Sequence, residues 1–312
     1  MNILITGGTG FIGKALINNL NNDHYKIFVL SRNPQKYINN FDKNVSLLQW
    51  DGKTSDGWGN IIENIDAVIN LAGENIAGNS FSSIFLKRYT PERKRLILQS
   101  RINSGNALVQ AIKSSHKKPQ FFIQASAVGY YGNRGDEILT ESSPPGKDFV
   151  SQICIPWEKS TAELDTMNIR RVIIRTAGMV LGNNGGALPF LVYPYRFYLG
   201  GPLGSGKQWV SWIHIEDEIR VIRYLLDNQK AEGVFNCSSP NPIINREFSR
   251  AIGKILNRPS WLPLPEMVFN LFLGEKAKIL LASQRQIPEK LLKLGFEFSY
   301  PDIESALKNI FL

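Results

Sequence analysis

The chain has 312 residues, with 36 Lys plus Arg against 27 Asp plus Glu, a net charge of +9, and 43% hydrophobic residues. A chain of this length buries roughly three quarters of the surface its unfolded form exposes, so it forms a core without a metal or disulfide staple. Its two cysteines, Cys154 and Cys237, sit in no Cys-x-x-Cys pair, which argues against a zinc ribbon or disulfide framework and fits a reducing, cytoplasmic setting.

The first element is the apolar run Ile3-Leu4-Ile5, broken at Gly7-Gly8 and too short for a signal segment. No apolar run of about 18 residues follows, which speaks against a secreted or membrane-spanning chain. Strand-like runs recur at Ile3 to Thr6, Lys26 to Ser31, Val45 to Trp50, Ala67 to Ala72, Phe121 to Ser126 and Arg171 to Thr176, with helical periodicity between them. Ile12, Ala15, Leu16 and Leu20 give the first such helix an apolar stripe. Strands alternating with helices predict right-handed βαβ units and an α/β fold with a doubly wound parallel sheet. After about residue 180 the texture turns to Gly/Pro-rich loops, with helices expected near 216–229, 245–257 and 302–311.

Thr6-Gly7-Gly8-Thr9-Gly10-Phe11-Ile12-Gly13 links the first strand to the first helix. Gly7 permits a tight turn, Gly10 lets backbone approach a pyrophosphate, and Gly13 allows close helix–sheet packing. Amide groups from Thr9 through Phe11 and Ile12 lie at the positive end of the helix. This context predicts a dinucleotide. An acidic residue closing the second strand would bind a ribose 2′-hydroxyl, but the chain has Ser31-Arg32, a hydroxyl and a guanidinium suited to a phosphate monoester; NADP (NADPH) is the expected cofactor. The plain alternative is a surface arginine that touches nothing. Trp50 and Asp51 are placed to flank the adenine, Leu71-Ala72-Gly73 to run beside ribose and phosphates, and Arg101 to approach from the following helix or to remain an exposed charge. The basic run Lys87-Arg88 with Arg93-Lys94-Arg95 is short and reads as a solvated helix face, so neither a nucleic acid nor a membrane is expected as partner.

Taken with Asn70 to Asn75, Ser126-Ala127-Val128-Gly129-Tyr130-Tyr131-Gly132, Trp157-Glu158, Arg175 to Gly182, Gly200 to Gly206, Trp212 to Asp217 and the tail Ser283-Gln284-Arg285, the glycine motif resembles the extended short-chain dehydrogenase/reductase superfamily. The likeness is nearest to its atypical epimerase family, the nucleoside-diphosphate-sugar epimerase subgroup. The resemblance implies an NADP-binding Rossmann domain over 1–180, rejoined by a strand and helix from about 208–240, and a small substrate-side region over 181–312.

Active members of the superfamily use a Ser with a Tyr-x-x-x-Lys pair, the lysine and the nicotinamide charge making the phenol a usable base. Ser126 matches the serine, but Ile155 stands where the tyrosine belongs, with Lys159 in the lysine register. Tyr130 and Tyr131, at the end of the fifth strand, and Glu158, in an expected helix start, remain as proton-handling candidates, each with a packing or surface-charge alternative. Met179 is placed near the nicotinamide or in the core. His214 reads as structural and Asp217 as a cap or positioning residue, with no metal site. Tyr193, Tyr195, Phe197, Tyr198, Trp209 and Trp212 form either a stacking wall for substrate or plain core. The expected function is an NADP-dependent oxidoreductase or epimerase-like enzyme on a small polar substrate such as a nucleotide sugar. The alternative is a catalytically silent NADP(H)-binding sensor or interaction module, and oligomeric state is open.

Overall fold

The computed structural model describes residues 1–21, 23, 25–76 and 89–312. Lys87-Arg88 therefore lies outside the described residues; of its neighbours, Arg93 and Lys94 are ion-paired with Glu74 and Glu275.

Seven strands make one parallel sheet: β1 (Asn2–Thr6), β2 (Lys26–Ser31), β3 (Val45–Gln49), β4 (Ala67–Asn70), β5 (Phe121–Ala127), β6 (Arg170–Thr176) and β7 (Gly233–Cys237). Their order is β7-β6-β5-β4-β1-β2-β3, so the chain reverses direction of winding between β1 and β4, where a doubly wound sheet opens its ligand crevice. The fourth strand stops at Asn70, two residues earlier than expected, because the Asn70 and Thr6 side chains capture the Ala72 amide and draw the chain out of the ladder.

Alternation along β1 decides which face each side chain covers. Ile3 and Ile5 pack with Leu16, Ile17 and Leu20 of α1 (Phe11–Asn21), in one buried cluster. Leu4 joins Phe28, Val68 and Phe122 on the other face, under Leu108, Ala111 and Ile112 of α2 (Pro91–Ser114). Thr90 caps α2 by accepting a hydrogen bond from the Arg93 amide. After α3 (Phe149–Lys159), β6 and a loop, α4 (Ile215–Asp227) leads into β7, which pairs with β6 and extends the sheet; Ile219, Ile222 and Leu225 of α4 join the α1 face. A smaller core gathers Leu181, Trp212, Phe248 and Ile252 with Leu307 and Ile310 around α5 (Asn245–Leu256) and α6 (Ile303–Phe311).

One local expectation is corrected. Glu158 is expected in a helix start, as a base or as a first-turn charge complementing the dipole. The helix instead starts at Phe149, capped by Asp148, which accepts the Ser151 amide at 2.9 Å, and Glu158 falls in its last turn. A carboxylate at that negative end is disfavoured by the helix dipole, so its position requires a cation nearby.

Candidate active site

The glycine turn occupies the carboxyl end of β1. Gly7 has φ +69, and a Cβ there would lie 2.6 Å from the Leu71 carbonyl oxygen. A Cβ on Gly13 would lie 2.4 Å from the Gly7 oxygen and 2.6 Å from Gly8 Cα, so α1 rests directly on the turn. The Gly10 amide donates to the Gly7 carbonyl at 2.9 Å, closing the turn ahead of Phe11 and Ile12. Phe11 is held from above: Cβ atoms on Gly182 and Gly185 would meet its ring at 2.8 and 2.5 Å. Thr9 is half-buried in the turn, and Gly10 is exposed at its tip.

Ser31 and Arg32 follow on the neighbouring strand. Ser31 is buried and its hydroxyl accepts from the Asn33 amide at 3.2 Å, whereas the Arg32 side chain is 71% exposed and lies 3.7 Å from Glu74. Glu74 is also paired with Arg93 at 2.9 Å. Asp51 is engaged locally: its carboxylate accepts the Lys53 and Thr54 amides at 2.7 and 2.9 Å, and these bonds hold its pKa below the usual range. Trp50 is buried against Trp58 in an edge-to-face pair, so the indole belongs to the core. Leu71 and Ala72 pass over Gly7, and Arg101 lies against Gly73.

Two strands from the turn, on the same sheet edge, Ser126 of β5 donates to Glu158 Oε1 at 2.6 Å. Arg175 of β6 grips both Glu158 oxygens, at 2.9 and 3.0 Å, and is the cation that the helix end requires. The same guanidinium lies 3.3 Å from the Tyr130 ring centroid and donates to the Tyr131 hydroxyl at 3.1 Å. Tyr131 is fully buried, donates to Asn236 Oδ1 at 2.6 Å, and is pushed up to about 12 by burial, which outweighs Arg175 and makes it a poor base. Cys154, one turn before Glu158, is likewise pushed up to about 12 by burial and is an inert thiol. Ile155 is 39% exposed and Lys159 is exposed, so neither side chain is buried with this cluster.

Asn236 and Gln286 carry no motif, and Arg175 entered the sequence reading only as the start of the Arg175 to Gly182 stretch, with no role of its own. Gln286 is fully buried; its amide donates to the Arg175 carbonyl at 2.8 Å and to Asn236 Oδ1 at 3.0 Å. Gln284 donates to the carbonyls of Val128 and Gly132. The tail thus braces the far side of the cluster. The available signal was an arginine directly after the apolar strand run Val172-Ile173-Ile174, since a charge buried there must have a partner.

Met179 pairs with Trp212 in a short parallel ladder. His214 caps α4 by accepting the Glu216 amide, and Asp217 accepts the Ser299 and Tyr300 amides, fastening the tail. The aromatic group divides: Tyr195 and Trp212 are core, Tyr193, Phe197 and Tyr198 are exposed, and Arg285 stacks on Trp209 at 4.3 Å. Among the described residues no three His, Cys, Asp or Glu side chains group as a metal site, and no helix is long and apolar enough to cross a membrane.

Beside the cluster, Glu218 of α4 is fully buried, accepting from Cys237 Sγ at 2.8 Å and Thr176 Oγ1 at 2.9 Å. Burial pushes its carboxyl up to about 7 from an ordinary 4.5. The folded state therefore binds the extra proton between those values, and stability falls as pH rises through them, by about 3 kcal/mol in all. Glu218→Gln is expected to remove that dependence and to be the more stable protein at pH 8; urea midpoints from pH 5 to 8 that fall equally for both would rule it out.

Residues 3–238 match the NAD dependent epimerase/dehydratase family, and residues 264–310 match a domain of unknown function (DUF1731). The chain is 38% identical over 313 residues to the epimerase family protein YfhF of Bacillus subtilis, covering 99% of this chain and 98% of that one. The crystal structure of human epimerase family protein SDR39U1 (isoform 2) with NADPH superposes with a TM-score of 0.88 at 32% identity, covering 99% of each chain. Thermus thermophilus UDP-glucose 4-epimerase, in complex with NAD, superposes with a TM-score of 0.77 at 17% identity, covering 100% of this chain and 98% of that one, which is a likeness of fold alone.

Proposed function

The chain belongs to the NAD dependent epimerase/dehydratase family, and from that membership we propose that it is an NADP(H)-binding oxidoreductase or epimerase-like enzyme acting, in a cytoplasmic setting, on a small polar substrate such as a nucleotide sugar. The observation that carries this reading is the placement, on one edge of the sheet and two strands apart, of the glycine turn and the Ser126–Glu158–Arg175 cluster. The turn fits a dinucleotide because side chains at Gly7 and Gly13 would fill the space that backbone now occupies. The NADPH held by the human relative supports the choice of cofactor.

In this reading Thr9 to Gly13 hold the diphosphate at the start of α1, Ser31 and Arg32 hold the 2′-phosphate, and Leu71 to Gly73 line the ribose. When bound, the nicotinamide supplies a hydride donor or acceptor. Ser126 directs its own proton to Glu158 Oε1, which leaves the serine oxygen's lone pairs for a substrate hydroxyl. A proton leaving that hydroxyl passes to Ser126 Oγ as the serine proton moves to Glu158. Arg175 stabilises the charge on the carboxylate and on any phenolate developing at the stacked Tyr130. Met179 is assigned to the nicotinamide end.

Arg32→Asp tests the cofactor choice. Replacing the guanidinium by a carboxylate removes charge-assisted bonds and adds repulsion, so NADPH affinity is expected to fall about 30-fold or more while NADH affinity rises, read by calorimetry. Unchanged NADPH affinity would end the 2′-phosphate assignment. One observation favours the silent-module reading: both Glu158 oxygens and the Tyr131 hydroxyl are already engaged within the protein. NADPH binding with no turnover across a broad carbonyl and nucleotide-sugar panel would favour it.

A further inference from the structure

Among the described residues, eight large apolar side chains are more than half exposed, and six of them fall in two short stretches: Phe197, Tyr198 and Leu199, then Trp261, Met267 and Leu271. Hydrogen bonds join the stretches. The Trp261 and Leu262 amides donate to the Gly200 carbonyl at 3.0 and 3.1 Å, and the Leu264 amide donates to the Pro202 carbonyl at 2.9 Å. The Trp261 indole donates to the Tyr198 carbonyl at 3.0 Å, and the Arg258 guanidinium covers the Tyr198 ring at 4.7 Å. A Cβ on Gly201 would lie 1.9 Å from the Leu262 oxygen, so the two backbones touch and the floor under these side chains is fixed. The chain then enters the helix Glu266–Leu273, where Met267 and Leu271, one turn apart, share a face and are 82 and 74% exposed. Leu273, on the other side of that helix, packs with Ala277 and Leu203, which ties it to the same platform.

Area and charge indicate what covers this face. The three rings, about 150–250 Å² each when whole, leave roughly 350 Å² in water. With Met267, Leu271 and Leu199 the patch passes the few hundred Å² usual on a monomer and approaches the roughly 800 Å² per partner of a stable interface. Residues 193–204 and 258–274 carry two arginines, Arg196 and Arg258, and one acid, Glu266, with no lysine and no aspartate. Aromatic rings, Met and Arg without Lys or Asp are the composition of a protein interface core. An anionic lipid surface attracts clusters of about four to eight Lys and Arg instead. These two stretches bear +1 of the chain's +9, so two copies meet here without the repulsion that the rest of the surface imposes. Glu266 is a counter-charge for the arginines of an opposing copy.

We propose that a second copy of this chain docks on this face, in a two-fold pairing that sets the patch against itself. The pairing is independent of the nucleotide reading, since none of these residues belongs to the glycine turn or to the Ser126–Glu158–Arg175 cluster.

Sedimentation velocity on the full chain at about 1 to 100 µM is expected to show a dimer. Met267→Lys combined with Leu271→Lys places like charges across the two-fold and is expected to weaken association by about a hundredfold or more. Leu96→Lys, at a half-exposed leucine of α2 outside both stretches, is expected to leave the dimer intact. Wild type that stays monomeric to about 100 µM overturns the proposal, as does a dimer that survives the double lysine variant or one that Leu96→Lys breaks. Monomeric wild type that floats with phosphatidylserine vesicles would make lipid the occupant, and overturns it too. Should the double lysine variant not fold, hydrogen exchange on wild type below and above the dimer midpoint decides. Protection over residues 258–273 that rises with concentration supports the pairing, and unchanged protection overturns it.

Discussion

Arg175→Leu is expected to destabilise the protein by about 3–5 kcal/mol, because it leaves the Glu158 carboxylate buried with its charge uncompensated. Both Glu158 oxygens lose a donor at once, and Tyr131 loses one as well. Glu158→Gln should cost less, since the amide still accepts from Ser126. The double variant Glu158→Leu with Arg175→Leu is expected to recover much of the loss, as a buried pair replaced by apolar side chains of similar volume often does. Urea unfolding of these variants and of the single Glu158→Leu measures this. A double variant as unstable as the sum of its parts would mean that the pair is not the coupled unit described, since residues in direct contact should depart from additivity.

Gly13→Ala is the second large effect. The added methyl group meets the Gly7 carbonyl at 2.4 Å and Gly8 Cα at 2.6 Å, both backbone, so neither can turn aside as a side chain would. Relief requires α1 to move off the turn, at about 1–3 kcal/mol of stability. Moving the helix also moves the Phe11 and Ile12 amides and the positive end of the dipole, so NADPH affinity is expected to fall by about a hundredfold, equivalent to about 3 kcal/mol. Gly57 serves as control: it has φ +79 with nothing within 4 Å of its Cβ, so Gly57→Ala should cost about 1 kcal/mol of backbone strain and leave nucleotide binding unchanged. Equal effects of the two substitutions on affinity would detach Gly13 from the cofactor.

The parallel sheet and glycine turn were legible because they are local. Ile3, Leu4 and Ile5 followed by Gly7-Gly8 specify a buried strand and a turn, and the stripe Ile12, Leu16, Leu20 specifies the helix that covers it. The strand closing the sheet beside Arg175 was expected from about 208–240, and it lies at Gly233–Cys237. The end of β4 was less legible, since the Ala72 amide is taken by the Thr6 and Asn70 side chains, residues 64 positions apart.

What sequence alone determined here is the α/β architecture and the crevice at β1, where periodicity and glycine act over a few residues. Only tertiary structure decided the chemistry of the Ser126–Glu158–Arg175 cluster. Glu158 read as a base or a first-turn charge in a helix start, whereas the helix begins at Phe149, and Arg175 stood out only as part of a strand and of the Arg175 to Gly182 stretch that carries the resemblance. Their pairing joins side chains 17 positions apart, and Gln286, which braces Arg175, comes from 111 positions further on. Pattern within one element cannot specify such contacts, because a buried charge is set by whichever distant group is packed against it, and that is fixed only when the sheet and tail have closed.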